Sequence, residues 1–296
     1  MQDLGTWDYV IVGAGKTAMD VGVWLLEAGA DPDAITWIKP RDSWLINRDS
    51  TQPGHDFFFQ SIGGVADQFA AMAQSKTIEE LFFRMEREGT ILRIYPDIRP
   101  TMYHCATLSN GEAEQLRTIK NVVRKGHVIS IGASAINLSE GTEPGGADAL
   151  YIDCTASAVE RRPLLPTFDG DRITLQMLRQ CQPAFSAALI ARIEHTMVDE
   201  TSEDEKAKNL LTTPLPLPDG EADWLRLNIA NMTNQYNWNQ DKELRAWITE
   251  CRLDGFTKVV RDTDKEDEER QAVLMKLREN AFPAVANMHQ LLANEG

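Results

Sequence analysis

Apolar and polar positions along the chain follow two periods. Tyr9–Val12 is a short apolar run that stops at glycine, the pattern of a buried strand. Residues 16–28 then follow a helical period, with Met19, Val23 and Leu26 on one face and Gly29 where a helix C-cap would stand. Residues 30–33 turn around Pro32, and Ile35–Ile38 reads as a second strand halted by Pro40. The chain therefore opens with one β-α-β unit. Residues 42–56 are irregular and polar, with Pro53-Gly54, and predict a loop. Residues 61–74 and 77–88 predict two helices, the second opened by Thr77 and Glu80 at capping-box spacing. Residues 91–95, 122–131 and 150–155 predict strands, with a turn-rich stretch at 139–146, so a β-meander is expected between two β-α-β parts.

Past Arg162 the pattern changes. Pro163 and Pro166 predict a loop, residues 168–171 a turn, and residues 184–197 a helix. The charge run at 199–208 and the proline-containing stretch at 212–223 read as a solvated linker. Leu244, Trp247, Ile248 and Cys251 fall at i, i+3, i+4 and i+7, an apolar helical stripe. Residues 265–279 and 285–292 predict two further helices. The expected organisation is a first domain over 1–160, a returning segment over 161–198, a linker over 199–223 and a helical region over 224–296.

Composition narrows the partners. The 296 residues include 45 acidic and 30 basic side chains, for a formal net charge of -15. That balance argues against a nucleic-acid backbone as the main partner and against docking on an anionic membrane. With 43% hydrophobic and 25% charged residues the chain has globular composition, which excludes disorder over its whole length. No apolar run approaches the length of a membrane span, and residues 1–8 lack a basic flank and an apolar core, so no signal peptide is expected. Cys105, Cys154, Cys181 and Cys251 are scattered with no CxxC, so neither a disulfide framework nor a zinc site is expected, and a reducing cytoplasm fits best.

The main chemical signal is Gly13-Ala14-Gly15-Lys16-Thr17-Ala18, which fits G-x-G-x-x-G/A directly after a strand and at the start of a helix. Gly13 would permit the tight turn, Gly15 would let a pyrophosphate approach the backbone, and Ala18 is small enough for the helix to lie on the sheet. The helix start offers free N–H groups and a positive dipole end. The residue ending the second strand is the next test. An acidic residue there would suit a ribose 2′-hydroxyl, whereas Lys39-Pro40-Arg41 suits a 2′-phosphate, favouring NADP(H) over NAD(H). Arg48 is a weaker candidate for the same phosphate, and Asp31 and Asp33 precede the strand. The plain alternatives are a glycine turn with only a packing role and ordinary surface cations.

The run from Tyr9 to Asp20 resembles the NADP-binding fingerprint of flavin-dependent oxidoreductases of the flavin-containing monooxygenase-like group, with Thr17 and Asp20 where those proteins carry a Ser or Thr and an Asp. Asp153-Cys154-Thr155-Ala156 resembles the strand-ending motif that closes their NADP domain. The stretch from Lys39 to Arg48 resembles a subgroup of FAD/NAD(P)-binding proteins. The similarity spans roughly residues 8–190. It implies an α/β fold, with a Rossmann-like dinucleotide-binding domain, a β-meander and a helical C-terminal region. It also implies NADP(H) and FAD as cofactors, with Thr155 and the Gly170-Asp171 turn as further cofactor contacts. Ala156 replaces the usual glycine, no FxGxxxHxxxW stretch occurs, and the earlier GxGxxG that serves FAD is missing. The expectation is thus the NADP half of such an enzyme, with FAD supplied by a FAD-bearing domain or subunit; a homo-oligomer is left open.

Other candidates have duller readings. His55 beside Phe57, Phe58 and Phe59 would line a nicotinamide pocket or belong to core. Cys154 would be redox-active or, as at most buried strand ends, inert. His104 and Cys105 lack a third ligand, so no metal is expected, and Ser43 and Ser61 lack a nucleophile-elbow context. The leading expectation is an NADPH- and FAD-linked oxidoreductase with an unknown small-molecule substrate. The alternatives are a non-catalytic NADP-binding module and a Gly13 to Ala18 loop that serves FAD itself.

Overall fold

The computed structural model describes residues 7–146, 148–157, 160–197 and 202–295. In chain order it contains β1 (Tyr9–Val12), α1 (Lys16–Glu27), β2 (Ile35–Ile38), β3 (Ser43–Asn47), α2 (Gly64–Gln74) and α3 (Ile78–Arg87). Next come β4 (Ile91–Leu92), β5 (Met102–Leu108), α4 (Asn110–Leu116), β6 (Asn121–Val123), β7 (Val128–Ile131), β8 (Ala135–Leu138), β9 (Gly141–Pro144) and β10 (Leu150–Asp153). The remainder is β11 (Phe168–Asp169), β12 (Arg172–Ile173), α5 (Pro183–Thr196), α6 (Ser202–Leu211), α7 (Glu221–Gln240), α8 (Lys242–Glu250), α9 (Thr257–Arg261) and α10 (Glu268–Ala293). The fold is mixed α/β, with a parallel four-stranded sheet and a helical C-terminal region. Its contacts form two units, one from Met1–Arg48 and Ile91–Glu160, the other from Asp49–Thr90 and Arg161–Gly296.

The first unit is built on the sheet β10-β1-β2-β6, whose neighbours all run parallel. β1 is buried at every position because both faces are covered, which explains its unbroken apolar run. Tyr9 and Ile11 face a core shared with Met19 and Val23 of α1 and Leu116 of α4. Val10 and Val12 face the opposite core, with Ile136 and Leu138 of β8. The antiparallel sheet β7-β8-β9 is the expected meander. The expected strand over 122–131 is instead two strands in different sheets, broken at Gly126, whose φ of +73° suits glycine. β9 occupies part of the stretch read as turns.

The expected loop at 42–56 contains β3, the central strand of a sheet ordered β4-β3-β5. Four of its five residues are buried, so it lacks the alternation of a half-exposed strand. The polar Ser43 is satisfied there, its hydroxyl donating to the Met102 carbonyl at 3.3 Å. β5 carries a bulge opposite β3, where Cys105 adopts a φ of +57°.

In the second unit α2 lies along α10. Asn287 Nδ2 donates to the carbonyls of Met72 and Ser75 at 2.7 Å each, capping the end of α2. α10 runs unbroken through Pro283 where two helices were expected. Contacts to α2 on both sides of the proline, from Lys276 and Asn287, hold the axis together. The start of the expected linker, 199–201, lies outside the described residues, and the rest of its charge run is in α6. Its polar side chains are used locally. Asn209 pairs with both the N–H and the carbonyl of Phe168, and Lys208 pairs with Glu194 and Asp204. Among the described residues no helix is long and apolar enough to cross a membrane.

Candidate functional site

The glycine turn leaves β1 at the carboxyl edge of the sheet. Gly13 has a φ of +133°, and a Cβ there would lie 2.5 Å from the Cys154 carbonyl oxygen. Its N–H donates to the Ile38 carbonyl at 2.9 Å, and its own carbonyl accepts from Trp37 Nε1 at 2.8 Å. The turn is thus fastened to β2 on one side and pressed on the backbone following β10 on the other. Ala14 is half-buried. Gly15 is the N-cap of α1, and a Cβ on it would meet no atom within 4 Å. The first turn of α1 carries no acidic residue, so its positive dipole end is not neutralised from within the helix. Ala18 is fully buried in the core beneath β1.

Thr155 stands at the same edge. Val12 and Asp153 are register partners, and the Cys154 N–H donates to the Val12 carbonyl at 2.8 Å. Asp153 Oδ1 accepts from the Thr155 N–H at 2.9 Å and hydroxyl at 2.7 Å, which holds its carboxyl below the usual range. Cys154 is buried, and burial, with the Asp153 charge beside it, pushes its thiol up, away from the reactive thiolate.

Of the two cations following β2, Lys39 is placed differently from the sequence expectation. Lys39 is only 1% exposed, with Nζ 2.7 Å from Asp42 Oδ1 and 4.3 Å from the centre of the Trp37 ring. Burial pushes its pKa down. Asp42 also accepts from Arg124 Nε at 2.6 Å, and despite its own burial Arg124 and Lys39 hold its carboxyl below the usual range. Lys39 is therefore the interior member of a Lys39–Asp42–Arg124 cluster. Arg41 is half-buried. Arg124 escaped the sequence reading because the strand it follows was expected to continue to residue 131. Lys125-Gly126 was the available signal of a break.

Arg48 Nη2 lies 3.1 and 3.0 Å from the two carboxylate oxygens of Glu112. Glu112 also closes a capping box with Ser109 at the start of α4, and it lies 4.0 Å from Lys16 Nζ. Burial opposes its ionisation, but the Ser109 N–H and hydroxyl and the Arg48 guanidinium outweigh it and hold the carboxyl at about 2. Lys16 pairs with Asp20 one turn on, and Thr17 is exposed. Lys16, Asp20, Arg48 and Glu112 thus form a charged group at the start of α1. Glu112 was the unread member, and Ser109-x-x-Glu112 was its sequence signal.

The remaining candidates separate. Asp171 is exposed in the β11–β12 turn of the second unit, where Gly170 has a φ of +60° and donates its N–H to Glu205 at 2.9 Å. His55, Phe57, Phe58 and Phe59 also belong to the second unit. Phe58 is core, packed with Ile62, Val259 and Leu274, while Phe57 and Phe59 are exposed. Ser61 is buried with its hydroxyl on the Phe57 carbonyl at 2.7 Å. His104 and Cys105 lie in the β5 bulge. Among the described residues no group of three or more His, Cys, Asp and Glu side chains is placed to hold a metal ion.

The chain is similar to three curated mycobacterial proteins. Uncharacterized protein Rv2000 and uncharacterized protein MT2056, both of Mycobacterium tuberculosis, and uncharacterized protein Mb2023 of Mycobacterium bovis are each 43% identical to it over 290 residues. The match covers 98% of this chain and 53% of each relative, so the chain spans about half the length of the curated relatives it matches. No protein-family model and no solved structure matches it.

Proposed function

We propose that the chain is the NAD(P)-binding part of an NADPH-dependent flavoprotein oxidoreductase of the monooxygenase-like kind, built on a Rossmann-like domain. One observation carries the reading. Gly13 is pressed on the Cys154 backbone while Gly15 faces open space at the uncapped start of α1. The residues fit a dinucleotide: the turn is rigid where it meets the protein and unobstructed where a pyrophosphate would approach. The chain order supports the same place. It steps from β1 to β2 to β6 and then returns to β10 on the other side of β1, so the strand order reverses between β1 and β10. Ligands of open parallel sheets bind outside the carboxyl ends of the strands at that reversal.

In this reading Gly13, Ala14 and Gly15 shape the pyrophosphate cradle, and the N–H groups of Lys16, Thr17 and Ala18 face it. Asp20 holds the Lys16 ammonium, and Thr155 lines the neighbouring strand end. Bound NADPH would supply a hydride and a flavin would accept it, chemistry that belongs to the cofactors. The flavin is assigned to a FAD-bearing domain or subunit. Calorimetric titration with NADPH, NADH and FAD, beside an absorbance scan, tests the proposal. NADPH binding that Gly15→Trp abolishes is the expected result. Retained binding in that variant removes the motif from the site. NADPH binding with no flavin-dependent oxidation in any combination would leave a non-catalytic module, and tight FAD with a flavin spectrum would give the loop to FAD.

A further inference from the structure

We propose that Arg124, not Lys39, is the residue that reads the 2′-phosphate of a bound dinucleotide, with Lys39 acting beneath it as a positioning residue that cancels the charge of Asp42. This rests on the dinucleotide reading above. It starts from the register of the sheet. Val12 pairs with Ile38, and Ile38 with Val123, so Gly13, Lys39 and Arg124 leave three adjacent parallel strands at one edge. The Lys39 N–H donates to the Val123 carbonyl at 3.0 Å, which keeps the last two together.

Their side chains differ in what they can offer. The Lys39 ammonium is held by Asp42 and covered by the Trp37 and Tyr95 rings, at 4.3 and 5.2 Å. To reach a ligand it would leave Asp42 short of a buried partner. The guanidinium of Arg124 has several donors in a fixed fork. Its Nε and Nη2 edge engages Asp42, at 2.6 and 3.4 Å, and its Cζ lies 4.8 Å from the centre of the Tyr95 ring. Nη1 has no partner among the described residues, and the side chain is 29% exposed. The Tyr95 hydroxyl donates to the carbonyls of Leu116 and Ile119, at 3.3 and 3.1 Å, which anchors that ring. The guanidinium is thus fixed with a free edge outward.

The charge count explains why both cations are present. Arg124 with Asp42 alone would be neutral and a poor ligand for a phosphate. Lys39 neutralises Asp42 from the interior, so two cations and one carboxylate leave one positive charge, and the group that carries it to solvent is Arg124. A 2′-phosphate would meet this charge, whereas the 2′-hydroxyl of NADH has no charge to offer it.

The test is calorimetric titration of the full chain with NADPH, NADH, 2′,5′-ADP and 5′-AMP, on the parent, Arg124→Ala and Arg124→Lys, with circular dichroism to confirm folding. Arg124→Ala should weaken NADPH and 2′,5′-ADP by about ten- to a hundredfold, the range of a lost charge-assisted hydrogen bond, and leave NADH and 5′-AMP unchanged. Arg124→Lys should lose part of the preference, because a point charge does not reproduce the fork. If Arg124→Ala fails to fold, a reduced NADPH-to-NADH ratio in Arg124→Lys carries the test, and an unchanged ratio overturns the proposal. A parent that binds both dinucleotides equally, or an Arg124→Ala variant that keeps the preference, also overturns it while the dinucleotide reading stands. A parent that binds none of the four ends both.

Discussion

Two corners of one sheet edge are built from opposite materials. At β1 and β10 the corner is backbone: Gly13 lies on the Cys154 carbonyl, and the Asp153 side chain folds back on Thr155. At β2 and β6 it is charged side chains: Lys39 and Asp42 from one segment and Arg124 from another, packed around Tyr95. The first corner needs a glycine for two reasons, its positive φ and the Cys154 carbonyl, which leaves no room for a Cβ. The second exists only when separate segments meet. The two should therefore fail in different ways.

The largest effect is expected at the charged corner. Asp42→Ala leaves Lys39 buried and uncompensated, which should cost about 3–5 kcal/mol in urea unfolding, whereas Lys39→Met with Asp42→Leu should recover most of that loss. A double variant no more stable than Asp42→Ala would show that the lysine charge is not the cause. At the backbone corner, Gly13→Ala forces a Cβ into the Cys154 carbonyl at positive φ and should cost about 1–3 kcal/mol from backbone strain alone.

Gly15→Ala sharpens the contrast, because it meets no atom in the protein. Its stability should stay within about 0.5 kcal/mol of the parent by thermal unfolding, while its NADPH affinity falls. A stability loss equal to that of Gly13→Ala would mean that both glycines serve the fold. The smallest effect is a pH dependence. The Glu112 carboxyl is held at about 2 in the folded protein against an ordinary 4.5, so its stabilisation is present above 4.5 and lost as the pH falls through about 2. The unfolding curves of the parent and Glu112→Gln should differ at neutral pH and converge over that acid range. Parallel curves down to pH 2 would remove the Arg48–Glu112 pair from the account.

The same contrast governs what could be read from the chain beforehand. The β1-α1-β2 unit was legible because a strand buried on both faces is continuously apolar and α1 follows a 3.6-residue period. β3 was hidden by Ser43 and Asn47, polar residues that are buried at its two ends. α6 was hidden by its charges, which look solvated until Glu194 and the β11 backbone are placed beside them. α4 went unread although Ser109 and Glu112 cap it, because its seven residues are too short to show a period.

The sequence alone determined the glycine turn, since a strand, a required positive φ and a helix start within a few residues are all local demands on the chain. Tertiary structure alone decided the charge at the edge of the site. Lys39 reads as a surface cation until folding brings Asp42 and Arg124 together, and only then does burial turn it inward. A positive φ is a demand of the turn's own backbone, whereas the state of a charge depends on whatever is near it in space.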